Sequence, residues 1–250
     1  MLLPFVVSLL VLADPAQQEC RYEDTRTAEL SGARTLLVHA GSGELRVEGR
    51  AGVDAVQIEA HLCASSQELL SAMRLETGVM GGSARVRTNL PDRNENNSYA
   101  RMDLVIVVPQ GMPAGIEDGS GSTELSGLGD TEIVDGSGNL DVTEIGGSLD
   151  IDDGSGALMI EDVAGDVVID DGSGDLSLRA VQGAIAIDDG SGAIGIVDAR
   201  RNVTIDDSSG GIEARGVGGD FTVDDDGSGG IRYSDVTGAV RIPRDKRPRG

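Results

Sequence analysis

The chain contains no tryptophan and only two phenylalanines and three tyrosines in 250 residues. Large rings therefore cannot fill a thick globular core, and burial must fall to Val, Ile, Leu and Ala in a thin core of many similar layers. Basic residues are scarce beside acidic ones, with 20 Lys and Arg against 43 Asp and Glu. A surface of that sign repels phosphate backbones; without aromatic platforms or a basic groove, nucleic acid is excluded as a partner. Cations and basic surfaces are what such a field attracts. Only Cys20 and Cys63 are present, and no CxxC or zinc-ligand spacing surrounds either. No apolar run is long enough to cross a bilayer, the longest being eleven apolar-biased residues from Leu2 to Leu12.

That run, followed by Val11-x-Ala13 as a small-residue cleavage site, predicts a secretory signal over residues 1–13, or to 16. It lacks the usual preceding Lys or Arg, so the true start lies upstream or the signal is atypical; a buried first strand or helix is the alternative reading. The mature chain then has no transmembrane segment, and its location is the bacterial periplasm, the cell surface or beyond. Two cysteines in an exported chain predict a Cys20–Cys63 disulfide, worth roughly 4 kcal/mol by chain entropy, with two buried free thiols as the alternative. Cys20 follows Gln-Gln-Glu, which does not resemble a lipid-attachment site.

What the sequence has in abundance is glycine, 37 residues, much of it in one motif. Asp-Gly-Ser-Gly starts at Asp118, Asp135, Asp153, Asp171 and Asp189, recurs as Asp-Ser-Ser-Gly at Asp207 and returns at Asp226, in steps of 17, 18, 18, 18, 18 and 19 residues. A fixed internal period of this length marks a solenoid, in which each coil needs its neighbours to bury its apolar side. Counting from the motif Asp, the sixth column holds Leu140, Leu158, Leu176 and Ile194, and the eighth Val142, Ile160, Leu178 and Ile196. The eleventh runs Ile145, Val163, Val181 and Ala199. The fifteenth and seventeenth hold Leu149, Val167, Ile185, Val203 and Ile151, Ile169, Ile187, Ile205. Columns six and eight, like fifteen and seventeen, have the period of two of a strand with one buried face, so each coil carries two short strands. Gly-Ser-Gly makes one corner, where positive φ is affordable, and Gly147, Gly165, Gly183, Gly219 and Gly238 make the other, with Arg201 pointing outward in their place once. Seven coils at about 4.8 Å make a rod on the order of 35 Å long.

Residues 118–242 thus form the regular solenoid, and residues 20–117 are expected to be an N-terminal β part that caps its first rung. Strands are predicted at Thr35–Val38, Leu45–Glu48, Ala55–Ala60, Ser83–Arg87 and Asp103–Val108. "SSQELLSAMRLE" from Ser65 is the one helix, with Ser65 and Glu68 as a capping box and Leu69, Leu70 and Met73 on one face. "PDRNENNS" from Pro91 reads as a polar loop.

The exported N-terminus, the two-strand coil and the repeated "DGSG" with alternating Val, Ile and Leu resemble the bacterial putative-adhesin, β-strand-repeat family, over Cys20 to about Ile242. The resemblance implies an all-β, single-stranded parallel β-solenoid (a β-helix) in the cell envelope or outside it. The family's members are mostly domains of unknown function, so it carries over no catalytic residues.

Two acids precede each Gly-Ser-Gly. Asp152/Asp153, Asp170/Asp171, Asp188/Asp189, Asp206/Asp207 and Asp225/Asp226 should stack as two columns of carboxylates. Unit charges about 4.8 Å apart repel by roughly 0.9 kcal/mol even in bulk water, so something must offset them. In one reading the Asp accepts hydrogen bonds from nearby backbone N–H groups and salt screens exposed carboxylates. In the other, Ca²⁺ or another hard cation bridges carboxylates of successive coils. The inward Asp of calcium-binding nonapeptide solenoids is not matched here, since that slot holds Leu140, Leu158 or Ile194.

No cofactor is otherwise called for. The expected role is a non-catalytic interaction module with an envelope or surface partner; the alternative is an envelope enzyme acting on polysaccharide through an acidic groove. Glycoside hydrolysis needs two carboxylates of different pKa at a set separation, and here acids are copied into every coil. His39 and His61 have no nucleophile context and read as ordinary strand residues. The tail, residues 243–250, reverses the charge with Arg244, Lys246, Arg247 and Arg249, following Arg241. It reads as a disordered end, with docking on an acidic ladder or on anionic polymer as the alternative.

Overall fold

The computed structural model describes residues 20–91 and 98–243. The signal segment, the centre of the "PDRNENNS" loop and the tail from Arg244 lie outside the described residues. The elements are β1 (Tyr22–Ser31), β2 (Thr35–His39), β3 (Leu45–Arg50), β4 (Ala55–Ala64), α1 (Gln67–Ala72), β5 (Arg74–Met80), β6 (Ser83–Asn89), β7 (Ala100–Pro109), β8 (Ala114–Asp118) and β9 (Thr123–Ser126). The repeats supply β10 (Thr131–Asp135), β11 (Leu140–Ile145), β12 (Leu149–Asp153), β13 (Leu158–Val163), β14 (Val167–Asp171), β15 (Leu176–Val181), β16 (Ile185–Asp189), β17 (Gly192–Ala199), β18 (Val203–Asp207), β19 (Gly210–Val217), β20 (Phe221–Asp226), β21 (Ile231–Val236) and β22 (Val240–Arg241).

They form two eleven-stranded sheets. One runs β1-β4-β7-β3-β9 and then through the odd strands to β21; the other runs β5-β6-β2-β8 and then through the even strands to β22. From β8 onward successive coils pair in parallel, with Leu158 opposite Leu176 and Leu176 opposite Ile194, so the eighteen-residue period is the physical pitch of a β-solenoid. The five apolar columns face the space between the sheets, where Leu140, Val142, Leu149, Ile151 and their equivalents are buried as far as Val223. In the last coil Ile231, Val236 and Val240 are only partly buried, and Tyr233, which takes the eighth column there, is exposed because no further described coil covers it. Each buried side chain of these columns contributes roughly 1.5–3 kcal/mol by leaving water.

The step of three between columns eight and eleven has a backbone cause. Glu144, Asp162, Ala180, Asp198 and Asp235 all sit in the left-handed region (φ 56 to 61°), and Gly216 takes the same place at φ 73°. One left-handed residue per coil bends the strand so that the eleventh column turns inward again. At the Gly-Ser-Gly corner only the second glycine has positive φ, 142 to 154° from Gly138 to Gly192. It is also pressed on the coil before it: a Cβ at Gly174 would lie 1.6 Å from the Gly156 carbonyl oxygen. At the other corner Arg201 is exposed, as expected.

The corners carry a second period. The carboxylate of Asp130 accepts from the Ser148 N–H (2.9 Å) and that of Asp166 from Ala184 (2.7 Å), while the Asn202 side-chain oxygen accepts from Asp220 (2.9 Å). Asn139 and Asp175 do the same for Ala157 and Ala193. Each of these caps bonds the next coil, and from Asp130 to Asn202 and from Asn139 to Asp175 they stand 36 residues apart. The alternation ends at Asp220, one coil after Asn202, where the Asp220 carboxylate caps the Ala239 N–H (2.8 Å).

The N-terminal part is less regular. β2 and β3 lie between strands that come later in the chain: β2 pairs with β6 and β8, and β3 with β7 and β9. Antiparallel strands then close both sheets, β4 and β1 on one and β5 on the other. β1 carries no strand signal because this edge strand is mostly polar, and β5 begins inside the segment read as helix, which ends at Ala72 so that Arg74–Glu76 are strand. Cys20 is disulfide-bonded to Cys63, with their Cα atoms 5.3 Å apart. The helix is capped by Ser66, not Ser65: the Ser66 side chain accepts from the Leu69 N–H, while the Ser65 N–H bonds the Tyr99 carbonyl and so stays with the strand ends. Leu70 and Met73 are buried, and Leu69 partly so.

Candidate functional site

The paired acids do stack in register, with Asp152 opposite Asp170 and Asp153 opposite Asp171, through to Asp206/Asp225 and Asp207/Asp226. They do not form one ladder. Neighbours on a strand point to opposite faces, so Asp152, Asp170, Asp188, Asp206 and Asp225 are exposed on the outside of the even-numbered sheet. Asp153, Asp171, Asp189, Asp207 and Asp226 point inward and are buried, continuing a column that begins with Asp118 and Asp135. The backbone N–H bonds expected of the Asp before Gly-Ser-Gly are found on this inner file, and salt screening of exposed carboxylates applies to the outer five. The signal for the inward face was present in the sequence, since Asp153 stands two residues after Ile151 on an alternating strand.

The inner column is built by the corner. In an Asx turn, Oδ1 of Asp153, Asp171, Asp189 and Asp207 accepts the N–H of the serine two residues on, at 3.2, 3.0, 3.0 and 2.8 Å. At the first position the Thr123 hydroxyl donates to Asp118 Oδ2 (3.2 Å). In Asp153, Asp171 and Asp189 the second carboxylate oxygen is buried without a hydrogen-bond partner. Desolvation, followed by the charge of the aspartates in adjacent coils, pushes Asp135 and Asp189 up to about 6. Asp153 and Asp171 are raised for the same two reasons, and Asp118 by desolvation, with backbone hydrogen bonds opposing the rise in each.

The outer column is an unbroken file of five carboxylates. Toward the N-terminal end the same row continues through Val134, Glu117, His39 and Arg87, where His39 Nδ1 lies 2.5 Å from Glu117 Oε2. His61 sits on the other sheet, 3.2 Å from Glu59, and both histidines are surface residues paired with a glutamate. Among the described residues no three His, Cys, Asp or Glu side chains converge on a point that could hold a metal ion. Arg241, the described basic residue nearest the tail, meets the corner residue Asp220 at 2.7 Å rather than either column. Its guanidinium, together with the Ala239 N–H, holds the Asp220 carboxyl below the usual range.

No protein-family model matches the chain, and no curated protein matches it. It is similar to solved structures of a putative lipid binding protein from Parabacteroides distasonis (16% identity, 89% of this chain and 97% of that one, TM-score 0.49) and a putative adhesin from Bacteroides fragilis (12%, 89% and 98%, 0.43). A third is a putative cell adhesion protein from Clostridium sporogenes (15%, 88% and 98%, 0.33). Among the described residues no helix is long and apolar enough to cross a membrane.

Proposed function

We propose that the chain is a non-catalytic, exported rod that presents a linear acidic face to a cationic partner in the cell envelope or outside it. The observation that carries this is the outer aspartate file. Five exposed carboxylates in register, about 4.8 Å apart, run some 19 Å along one sheet with no basic residue between them. Such a line of charge concentrates divalent cations and basic surfaces by its field, without needing a coordination cage. The disulfide fits an oxidising compartment, and repetition of the same acids in every coil singles out no catalytic pair.

The test is binding of the intact protein to immobilised polylysine and the effect of Ca²⁺ on its melting. Saturable, salt-sensitive binding is expected, weakened at least tenfold when Asp170, Asp188 and Asp206 are changed together to Asn, together with a modest rise in melting temperature with Ca²⁺. Binding that ignores the triple change would remove the outer file from the function.

A further inference from the structure

Seven carboxylates occupy the interior of this rod, and among the described residues no basic side chain is buried beside the five from Asp118 to Asp189. Among the described residues the only other buried polar side chains are Thr123 and Thr131, so no Lys, Arg or His reaches the column from the facing sheet. Leu158, Leu176 and Ile194 of that sheet supply only apolar surface. The charged groups around Asp171 are its column neighbours Asp153 and Asp189 and the adjacent Asp170, all acidic. One oxygen of each of Asp153, Asp171 and Asp189 is tied into its Asx turn, and the other is buried without a partner. A buried, unpaired carboxylate costs several kcal/mol, and stacking like charges on it adds to that cost. Some cation has to neutralise the column, and among the described residues no cluster of donors is shaped to hold a metal.

We propose that the inner aspartate column is a proton-binding site, taking up protons as the solenoid folds, so that the rod is tightest in mildly acidic surroundings and loosens as the column ionises. A protonated carboxyl keeps Oδ1 as the acceptor of the serine N–H and loses the net charge, which removes both the desolvation and the repulsion between coils. The pKa directions agree: carboxyls raised in the folded chain bind more protons than the unfolded chain between the ordinary value, 3.8, and about 6. Over that window stability falls as pH rises, and the whole contribution is gone above it.

A general loss of negative charge on acidification would act in the same direction, so the test compares the two columns at equal charge. Thermal melts of the full, disulfide-bonded chain are followed from pH 8 to pH 5 for three proteins: the native chain, the inner double variant Asp171→Asn with Asp189→Asn, and the outer double variant Asp170→Asn with Asp188→Asn. Asparagine keeps the Oδ1 acceptor of the turn. The native midpoint is expected to rise by roughly 5 °C or more on going to pH 5. The inner variant should start higher at pH 8 and lose most of that rise, while the outer variant keeps it. Equal behaviour of the two variants would overturn the proposal. So would a Ca²⁺-dependent rise at pH 8 that disappears only in the inner variant, because the column would then hold metal. If the inner variant does not fold, infrared spectra of the native chain decide: a buried protonated-carboxyl band growing in from pH 8 to pH 6 is expected, and its absence overturns the proposal.

Discussion

The N-terminal rungs and the repeat coils belong to the same two sheets but are held together by different means. From β10 onward each coil touches mainly the coils before and after it, at a spacing set by backbone clearance: glycine carbonyls stack so closely that a single Cβ cannot enter. In the N-terminal part β2 and β3 are threaded between later strands, and antiparallel strands and a disulfide close the ends. Coils copied from one template keep their precision in the backbone, whereas a closure built once keeps it in side-chain volume and a covalent link.

The sharpest way to break this contrast is a methyl group at a stacking corner. Gly174→Ala places Cβ 1.6 Å from the Gly156 oxygen at a φ of 153°, and a loss on the order of 5 kcal/mol, or failure of the coil to form, is expected in urea unfolding. Gly32→Ala, where φ is also positive but space is open, should cost about 1 kcal/mol. Comparable losses at the two sites would mean that conformational preference, not clearance, sets the corner.

Next in size is reduction of the Cys20–Cys63 bond, expected to lower stability by about 4 kcal/mol. Hydrogen exchange should show the loss concentrated in β1 and β4, with β13 to β18 still protected, because coils depend chiefly on near neighbours. Uniform loss of protection would show that the two parts unfold as one.

Much of this division could be read from the residues. The eighteen-residue spacing of Gly-Ser-Gly and the five apolar columns set out the coils because every rung repeats the same inward side chains. β2, β3, β6 and β7 were visible through alternating pairs such as Leu45 and Val47. β1, with "YEDTRTAELS", carries no such pattern, since an edge strand buries little. The two aspartate files carry the same residue type, so only strand parity, Asp153 following Ile151 by two, separates the inner one from the outer. The 36-residue alternation of Asp130, Asp166 and Asn202 was hidden beneath the stronger period, and the left-handed residue per coil leaves no chemical mark when it is Ala180 or Glu144.

That last feature gives the smallest effect. Ala180→Gly removes a side chain from φ 58° and should stabilise the chain by up to about 1 kcal/mol, where the same change at an ordinary strand position would weaken it. A melt that moves downward would place the bend elsewhere.

The pitch itself is open to direct measurement by electron-spin distances between labels on the outer row Asp141, Met159, Ser177, Gly195, Glu213 and Arg232, which are successive in-register partners. Labels at Asp141 and Glu213, four rungs apart, should lie about 19 Å from each other, and moving the second label to Arg232 should add about 4.8 Å. Separations that do not grow by one strand spacing per coil would contradict the stacked-coil architecture, and with it the division of the aspartates into an inner and an outer file.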